Sequence, residues 1–168
     1  QNYKYIAQIM AVLDKKTGTK YVDEVNANLL KLQNAVSFGS TQVNEKSLAI
    51  DNIKYAWEKG NMALVMRHML GMKKNLEQLS SSPDSKMYFI RDYSEATGLL
   101  IGWRAILSAH KSISDVEMKN IMTLMLMTER TTDPVTMLNQ PTSAINNINK
   151  ALDILNSVYN FSEAERSL

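Results

Sequence analysis

Hydrophobic side chains recur at alternating intervals of three and four residues in three segments of this chain. The three stripes are Val22, Val25, Leu29, Leu32 and Val36; Met62, Val65, Met69, Met72, Leu76 and Leu79; and Ile145, Ile148, Leu152, Leu155 and Tyr159. This spacing places each stripe along one side of an α-helix, in the geometry of helices that pack at a shallow angle. The pattern predicts an all-α fold, an antiparallel multi-helix bundle of six to seven segments with coiled-coil-like heptad packing.

Residues that stop helices divide the pattern into segments. We predict helices over residues 3–16, 22–37, 41–59, 62–79, 87–111, 114–131 and 142–160, with a short helical turn over 133–138. Gly60 and Asn61 tolerate left-handed backbone angles and are therefore expected to end the third helix. Because no segment alternates apolar and polar residues at period two over any length, we expect essentially no sheet.

Two capping sequences and one loop support these boundaries. Ser114 and Glu117 fit a capping box at the start of the sixth helix, and Asp133 fits the cap of the short turn that follows it. The run of serines with a proline over residues 80–85 cannot continue a helix and divides the chain near its middle. Neither half alone holds a large core, so we expect residues 1–168 to form a single helical bundle domain with this loop between its two halves.

Composition excludes several classes of protein. The net charge of the 168 residues is +2, too small to indicate a nucleic-acid partner, and the chain has no cysteine for disulfides or zinc sites. No apolar run is long enough to span a bilayer. A chain that begins at Gln1 fits a mature product without its signal peptide as well as a trimmed chain, and we favour an exported protein, periplasmic or extracellular, over a cytoplasmic one.

Methionine is unusually frequent, with 11 residues in the chain. One group, which comprises Met62, Met66, Met69 and Met72 with His68 nearby, follows the second stripe, and a second group comprises Met118, Met122, Met125 and Met127. Methionine fills irregular cores and lines adaptable binding grooves, and facing methionines can hold Cu(I). Core packing is the interpretation we prefer, and an apolar groove and a soft-metal site stay open as alternatives.

A small-residue face in the fifth predicted helix gives the best place for a ligand. Gly98 and Gly102 lie four residues apart, and because glycines cost stability inside a helix, we expect them to allow the close approach of another helix, with room for a ligand as the alternative. If a pocket exists, we expect it to be lined by Trp57, Met66, Met69, Gly98, Gly102, Trp103 and Arg104.

The start of the same helix is rich in residues that dominate protein interfaces. Tyr88, Phe89, Arg91 and Tyr93 follow the serine-rich loop directly, and an aromatic segment of this kind is typical of a contact surface. Inward packing of the aromatic rings at an ordinary helix start is the alternative.

Motifs for catalysis are missing from the sequence. It has no glycine-rich phosphate loop, no Gly-x-Ser-x-Gly elbow and no Glu three residues before either histidine, His68 or His110. We therefore expect no enzyme, no cofactor and no bound metal, and we expect a protein partner or a homo-oligomer. The leading hypothesis is an accessory component of a larger assembly, such as a secretion or surface apparatus. The alternative is a ligand-binding or sensor bundle with a methionine-lined apolar pocket.

Overall fold

A computed structural model describes residues 2–128 and 131–167, and the side chains from residue 5 onward. Within these residues the chain has eight α-helices and no β-strand, which confirms the all-α prediction. The helices are α1 (Asn2–Thr17), α2 (Tyr21–Ser37), α3 (Val43–Glu77), α4 (Ser85–Arg104), α5 (Asp115–Leu124), α6 (Pro134–Asn139), α7 (Pro141–Tyr159) and α8 (Glu163–Arg166). Short 3₁₀ helices cover Gly39–Gln42 and Ser108–His110.

The chain forms two compact units. Unit 1 comprises Gln1–Met62 with His110–Ser112, and unit 2 comprises Ala63–Ala109 with Ile113–Leu168. The division between them falls inside α3, whereas residues 80–85 lie within unit 2 and join α3 to α4. The expectation of one folded domain over the whole chain stays a prediction.

In unit 1, the carboxylate of Asp14 fixes the start of α2. Its two oxygens accept the backbone N–H groups of Tyr21 and Val22, each at 3.0 Å, and the hydroxyl of Thr19 donates to it at 2.7 Å. The first N–H groups of a helix have no partner within the helix, and a negative charge there is favoured by the helix dipole. Asp14 therefore takes the capping role that the preceding residue, Lys20, does not fill.

Helix α3 continues through Gly60 and Asn61, so the predicted helix end at these residues is wrong. The reason is a close approach inside unit 1: a Cβ atom on Gly60 would overlap the methyl group of Met10 and lie 3.3 Å from the Cβ of Tyr21. The glycine makes room for neighbouring side chains, while Asn61 donates its side-chain amide to the carbonyl of Trp57, one turn earlier, at 2.7 Å.

The side of α2 that is buried differs from the predicted stripe. Its buried residues are Tyr21, Asn28 and Ala35, each seven residues from the next. In the predicted stripe, Leu29 and Val36 are exposed, and the other three positions are half-buried. Asn28 is held inside by two hydrogen bonds, from its amide to the carbonyl of Glu24 at 2.8 Å and from Asn52 at 3.3 Å. A buried polar residue with satisfied hydrogen bonds thus replaces the apolar positions expected from periodicity.

In unit 2, the second and third predicted stripes supply much of the core. Val65, Met69, Met72 and Leu76 of α3 and Ile148, Leu155 and Tyr159 of α7 are all buried, while Leu79, Ile145 and Leu152 are half-buried. Helix α4 adds a buried row of Phe89, Tyr93, Ala96 and Leu100, and α5 adds Met118, Ile121 and Met122. These positions recur every three or four residues, as expected for helices that each bury one side.

Helix α4 ends at Arg104, seven residues before the predicted end. Beyond it, the chain turns through Ser108–His110, and residues 110–112 belong to unit 1. There the buried carboxylate of Glu58 accepts the backbone N–H of Ser112 with both oxygens, at 2.8 and 2.7 Å. Directly after α4, the N–H of Ile106 donates to the carbonyl of Trp103, three residues earlier, at 3.1 Å, so the i to i−4 pattern of the helix is not continued there.

The end of α5 is fixed by backbone geometry that the sequence does not signal. The N–H groups of Leu126 and Met127 donate to the carbonyls of Thr123 and Met122, at 3.0 and 2.8 Å, which is a Schellman ending. Leu126 has a φ of +52°, in a position where glycine is usual. The predicted extension of this helix to residue 131 is therefore wrong. The capping box at Ser114 and the cap at Asp133 are both confirmed.

Candidate functional site

Unit 1 exposes an unusual number of large apolar side chains. Of seventeen such side chains in the described part of the chain, ten lie in unit 1: Tyr5, Val12, Leu29, Leu30, Val36, Phe38, Val43, Leu48, Ile50 and Tyr55. Six of them, each at least 47% exposed, lie between residues 29 and 48, from the second half of α2 past the 3₁₀ turn to the start of α3. We call these six residues, Leu29, Leu30, Val36, Phe38, Val43 and Leu48, the apolar surface.

Most side chains of the apolar surface are more than half open to solvent. Leu30 is 63% exposed, Phe38 62% and Leu48 63%. By contrast, the residues that α2 and the first four turns of α3 bury are mostly small, with alanine at positions 35, 49 and 56. Apart from Tyr21, the large apolar side chains of these two helical segments are exposed or half-buried, and the other buried apolar residues are alanines.

Two grooves flank the apolar surface. One, of about 290 Å³, lies between α2 and α3 and has Ala35, Ala49 and Leu48 among its walls. The other, of about 550 Å³, runs along α2 beside Leu29 and Leu30. Both are open to solvent rather than enclosed. Grooves between exposed leucines are the shape that receives an amphipathic helix from another chain.

Unit 2 contains a buried polar cluster around Asp92. This carboxylate, in a residue only 6% exposed, accepts hydrogen bonds from His68 Nδ1 and Asn75 Nδ2, both at 3.2 Å, and from Arg91 at 3.3 Å. His68, Gly71 and Asn75 share one side of α3, and a Cβ on Gly71 would lie 2.5 Å from Asp92 Oδ2. The glycine therefore makes the space that the carboxylate occupies.

The cluster surrounds the buried carboxylate of Asp92 with hydrogen-bond donors. An aspartate that binds Nδ1 leaves Nε2 of the imidazole as a potential base. In the part of the chain that the structure describes, however, His68 has no hydrogen bond to a hydroxyl group that it could activate. No group of three or more histidine or acidic side chains among these residues is placed to hold a metal ion.

A second concave site in unit 2 is a cleft of about 760 Å³ between the end of α4 and one side of α5. Its described walls are Arg104, Ala105, Ile106, Leu107 and Ser108 after α4; Asp115, Lys119, Met122 and Thr123 on α5; and Met127 and Thr128 beyond α5. Met122 and Met127 are buried, whereas Arg104 and Lys119 are exposed. We call this site the methionine cleft.

Local hydrogen bonds order the walls of the methionine cleft. The hydroxyl of Ser108 donates to the carboxylate of Asp115, which ties the segment after α4 to the first turn of α5. The hydroxyl of Thr97 donates a hydrogen bond to the sulfur of Met127 at 3.7 Å, which helps to fix the position of that side chain. The Schellman ending of α5 places Met127 beside Met122 by folding the chain back on the helix.

The predicted ligand-binding residues do not come together as expected. Trp57 lies in unit 1, and the other six lie in unit 2. Met66, Met69 and Trp103 are buried, and Arg104 is the member of the set found among the described walls of the methionine cleft. Ligand binding by this particular set stays a prediction. The cleft draws its methionines from the second group noted in the sequence.

The prediction of close helix packing at Gly98 and Gly102 is wrong. Both glycines are exposed, and beyond the adjoining residues and the backbone of its own helix a Cβ built on either would meet no described atom within 4 Å. The glycines that make room for neighbours are instead Gly60, which the sequence analysis had taken as a helix end, and Gly71, which the sequence pattern did not single out.

The predicted interface residues divide between the surface and the core. Phe89 and Tyr93 are buried, with stacked rings 6.1 Å apart, so they are not part of a contact surface. Tyr88 and Arg91 are exposed, and the guanidinium of Arg91 lies over the Tyr88 ring, 5.2 Å from its centre. The division follows from helix geometry, because residues four apart share a side and residues 88 and 91 lie on another.

Two titratable groups in unit 2 have shifted pKa values. Burial raises the pKa of Tyr93, whose hydroxyl donates to the carbonyl of Met125 at 3.0 Å, and the nearby charge of Asp133 adds to the rise. The pKa of Asp133 is lowered by hydrogen bonds from the side chain and the backbone N–H of Thr136, the latter at 2.9 Å. Both groups act in structure, the first in the core and the second as a helix cap.

Together, these features define a class: an all-α protein of two compact helical units, one with an exposed apolar surface and one with a methionine-floored cleft. Comparison of the chain with known protein families, with curated proteins and with solved structures finds no match in any of the three. None of the helices in residues 2–128 and 131–167 is both long enough and apolar enough to cross a membrane.

Proposed function

We propose that this chain is a non-catalytic helical protein that acts through protein–protein contacts, as an accessory component of a larger assembly. The observation that supports the proposal is the apolar surface of unit 1. Single exposed hydrophobic residues are ordinary on proteins, but several large ones on adjoining elements are typical of an interaction site. Its position on two helices and the turn between them fits a helical partner.

The distribution of side-chain size on α2 also supports this function. A helix that contacts only its own chain places its largest apolar residues inward. Helix α2 buries Tyr21, Asn28 and Ala35 but exposes Leu29, Leu30 and Val36, so three of its large apolar residues are left uncovered within the described part of the chain. Burial of a leucine contributes about 1.5–3 kcal/mol, so covering even a few of these residues would stabilise a complex.

A second copy of the chain is the partner to test first, because it needs no further component. Sedimentation velocity over a concentration series would compare the natural chain with Leu30→Glu, Leu48→Glu and the control Val116→Glu. Val116 is equally exposed but lies on α5, outside the apolar surface. We expect self-association that each of the first two variants weakens about tenfold or more, which corresponds to ~1.4 kcal/mol, and that the control leaves unchanged.

A photo-crosslinking residue placed at position 30 or at position 116 extends the test to other partners in the native source. A specific adduct from position 30 and none from position 116 would support a different protein as the partner. The proposal would be contradicted if the chain stays monomeric and position 30 forms no more crosslinked adduct than position 116.

A further inference from the structure

We propose that the methionine cleft of unit 2 binds a small amphipathic anion, a straight-chain carboxylate whose alkyl chain lies on Met122 and Met127 and whose head group is held by Arg104 and Lys119. This inference goes beyond the proposed function, because the cleft shares no residue with the apolar surface of unit 1. Three properties of the cleft carry it: the floor, the charge of the walls and the size.

The floor of the cleft is apolar and adaptable. Met122 and Met127 are buried beneath it, and Ile106 and Leu107 form part of its wall. Methionine is unbranched and polarizable, and it adjusts to irregular ligand shapes. A flexible alkyl chain is the simplest partner for such a floor, since it needs no hydrogen bond and gains from every methylene removed from water.

The charged side chains among the described walls favour an anion. Arg104 and Lys119 are exposed at the cleft, while the one acidic wall residue, Asp115, already accepts the hydroxyl of Ser108 and lies in the first turn of α5. At that helix position, a negative charge is offset by the helix dipole. The two cations are thus left to face a ligand, and an arginine binds a carboxylate with two parallel hydrogen bonds.

The dimensions match a small molecule. The cleft of about 760 Å³ lies within the range of small-ligand sites, which is roughly 300–1,000 Å³. It is partly open to solvent, so a ligand of medium chain length can lay its chain against the floor and keep its head group near the rim. A ligand with both an alkyl chain and an anionic group can therefore contact the apolar floor and the two cationic side chains at the same time.

Isothermal titration calorimetry of the full chain with hexanoate, octanoate and decanoate tests the proposal, with 1-octanol as the uncharged probe. We expect affinity to rise up to about fourfold for each added methylene. Arg104→Gln combined with Lys119→Gln should weaken octanoate about tenfold and leave octanol unchanged. Lys86→Gln, an exposed charge on α4 away from the cleft, is the matched control and should change neither affinity.

Ala105→Trp separates binding in the cleft from binding elsewhere. Ala105 is exposed and lines the cleft, so the indole fills the site without entering the core. We expect this variant to keep its helical circular dichroism and lose binding of every carboxylate. Absence of binding by the natural chain would overturn the proposal, as would carboxylate binding that survives Ala105→Trp or is unchanged by removal of both cations. None of these outcomes depends on the apolar surface of unit 1.

Discussion

At the scale of single residues, the glycines of unit 2 differ in what surrounds them. Gly71 faces the carboxylate of Asp92, whereas Gly98 faces open space. We expect Gly71→Ala to destabilise the fold by about 1–3 kcal/mol, because the new methyl group displaces a buried, hydrogen-bonded carboxylate. Gly98→Ala should stabilise it by roughly 0.5–1 kcal/mol, because alanine restricts the unfolded chain and favours the helix.

Urea unfolding of the two glycine variants beside the natural chain provides the measurement. Both substitutions add one methyl group to a helix, so each serves as the control for the other. Equal changes in the free energy of unfolding would contradict the buried position of Asp92 between His68 and Asn75.

The buried hydroxyl of Tyr93 predicts a loss of stability at alkaline pH. In the unfolded chain, tyrosine loses its proton near pH 10, while burial keeps the proton on Tyr93 to higher pH in the folded chain. Its contribution to stability is therefore complete below about pH 10 and falls as the pH rises above that value. Tyr93→Phe should cost about 1–2 kcal/mol at neutral pH, from loss of the bond to Met125, and should flatten the alkaline decline.

Free energies of unfolding measured between neutral pH and pH 11 would test the role of Tyr93. Tyr88→Phe is the control, because Tyr88 lies on the same helix and is exposed. If the free energy of unfolding of both variants falls with pH in the same way as that of the natural chain, other groups cause the fall and the assignment to Tyr93 is wrong.

At the scale of elements, the start of α2 depends on one side chain from α1. Asp14 accepts the first two N–H groups of α2, and no nearer residue replaces it. We expect Asp14→Ala to lower the free energy of unfolding by about 1–2 kcal/mol, as loss of a charged helix cap does. Asp51→Ala removes an exposed acid that pairs with Lys54 at 3.5 Å, and should cost less than about 0.5 kcal/mol.

Thermal unfolding followed by circular dichroism would compare the two aspartate variants. Asp14→Asn is a third variant for this comparison, because it keeps a side-chain oxygen that can accept hydrogen bonds but removes the negative charge. An intermediate value for Asp14→Asn is expected. A value for Asp14→Ala no larger than for Asp51→Ala would contradict the capping role.

Helix ends were predictable where a side chain makes the cap and unpredictable where the backbone or a distant residue does. Ser114 and Asp133 cap their own helices, and local sequence shows them. The end of α5 depends on Leu126 in a left-handed conformation, which a leucine does not signal. The continuation of α3 through Gly60 depends on Met10 and Tyr21, which are distant in sequence. At these positions, packing between helices rather than local helix propensity determines where a helix ends or continues.

At the scale of the whole molecule, hydrophobic periodicity predicted the helical class and the cores of α3 and α7. It failed on α2, because Asn28 and Ala35 are buried there while larger residues are exposed. None of the three sites, the apolar surface, the methionine cleft and the Asp92 cluster, was predicted as a unit. The methionine cleft joins residues of α4 and α5 through a turn, and the Asp92 cluster joins residues 24 and 17 positions apart in sequence. Periodicity reports which side of a helix is apolar, but not which helix lies against it.

The same contrast between helices predicts uneven local stability. Helix α7 buries five residues along its length, whereas α2 buries three, two of which are a polar residue and an alanine. Amide exchange measures local opening, which is easier where fewer apolar contacts hold a helix. In dilute protein, we therefore expect the amides of α2 to exchange faster than those of α7, as followed by hydrogen–deuterium exchange and mass spectrometry.

Protein concentration gives this experiment its control. If a second copy covers the apolar surface, the protection of α2 should rise with concentration, while that of α7, which carries no residue of that surface, should stay constant. Leu30→Glu should remove the concentration dependence, and Val116→Glu should preserve it. Protection of α2 equal to that of α7 at the lowest concentration would show that the exposed leucines do not weaken α2, and the apolar surface would then lose its physical basis as an unpartnered face.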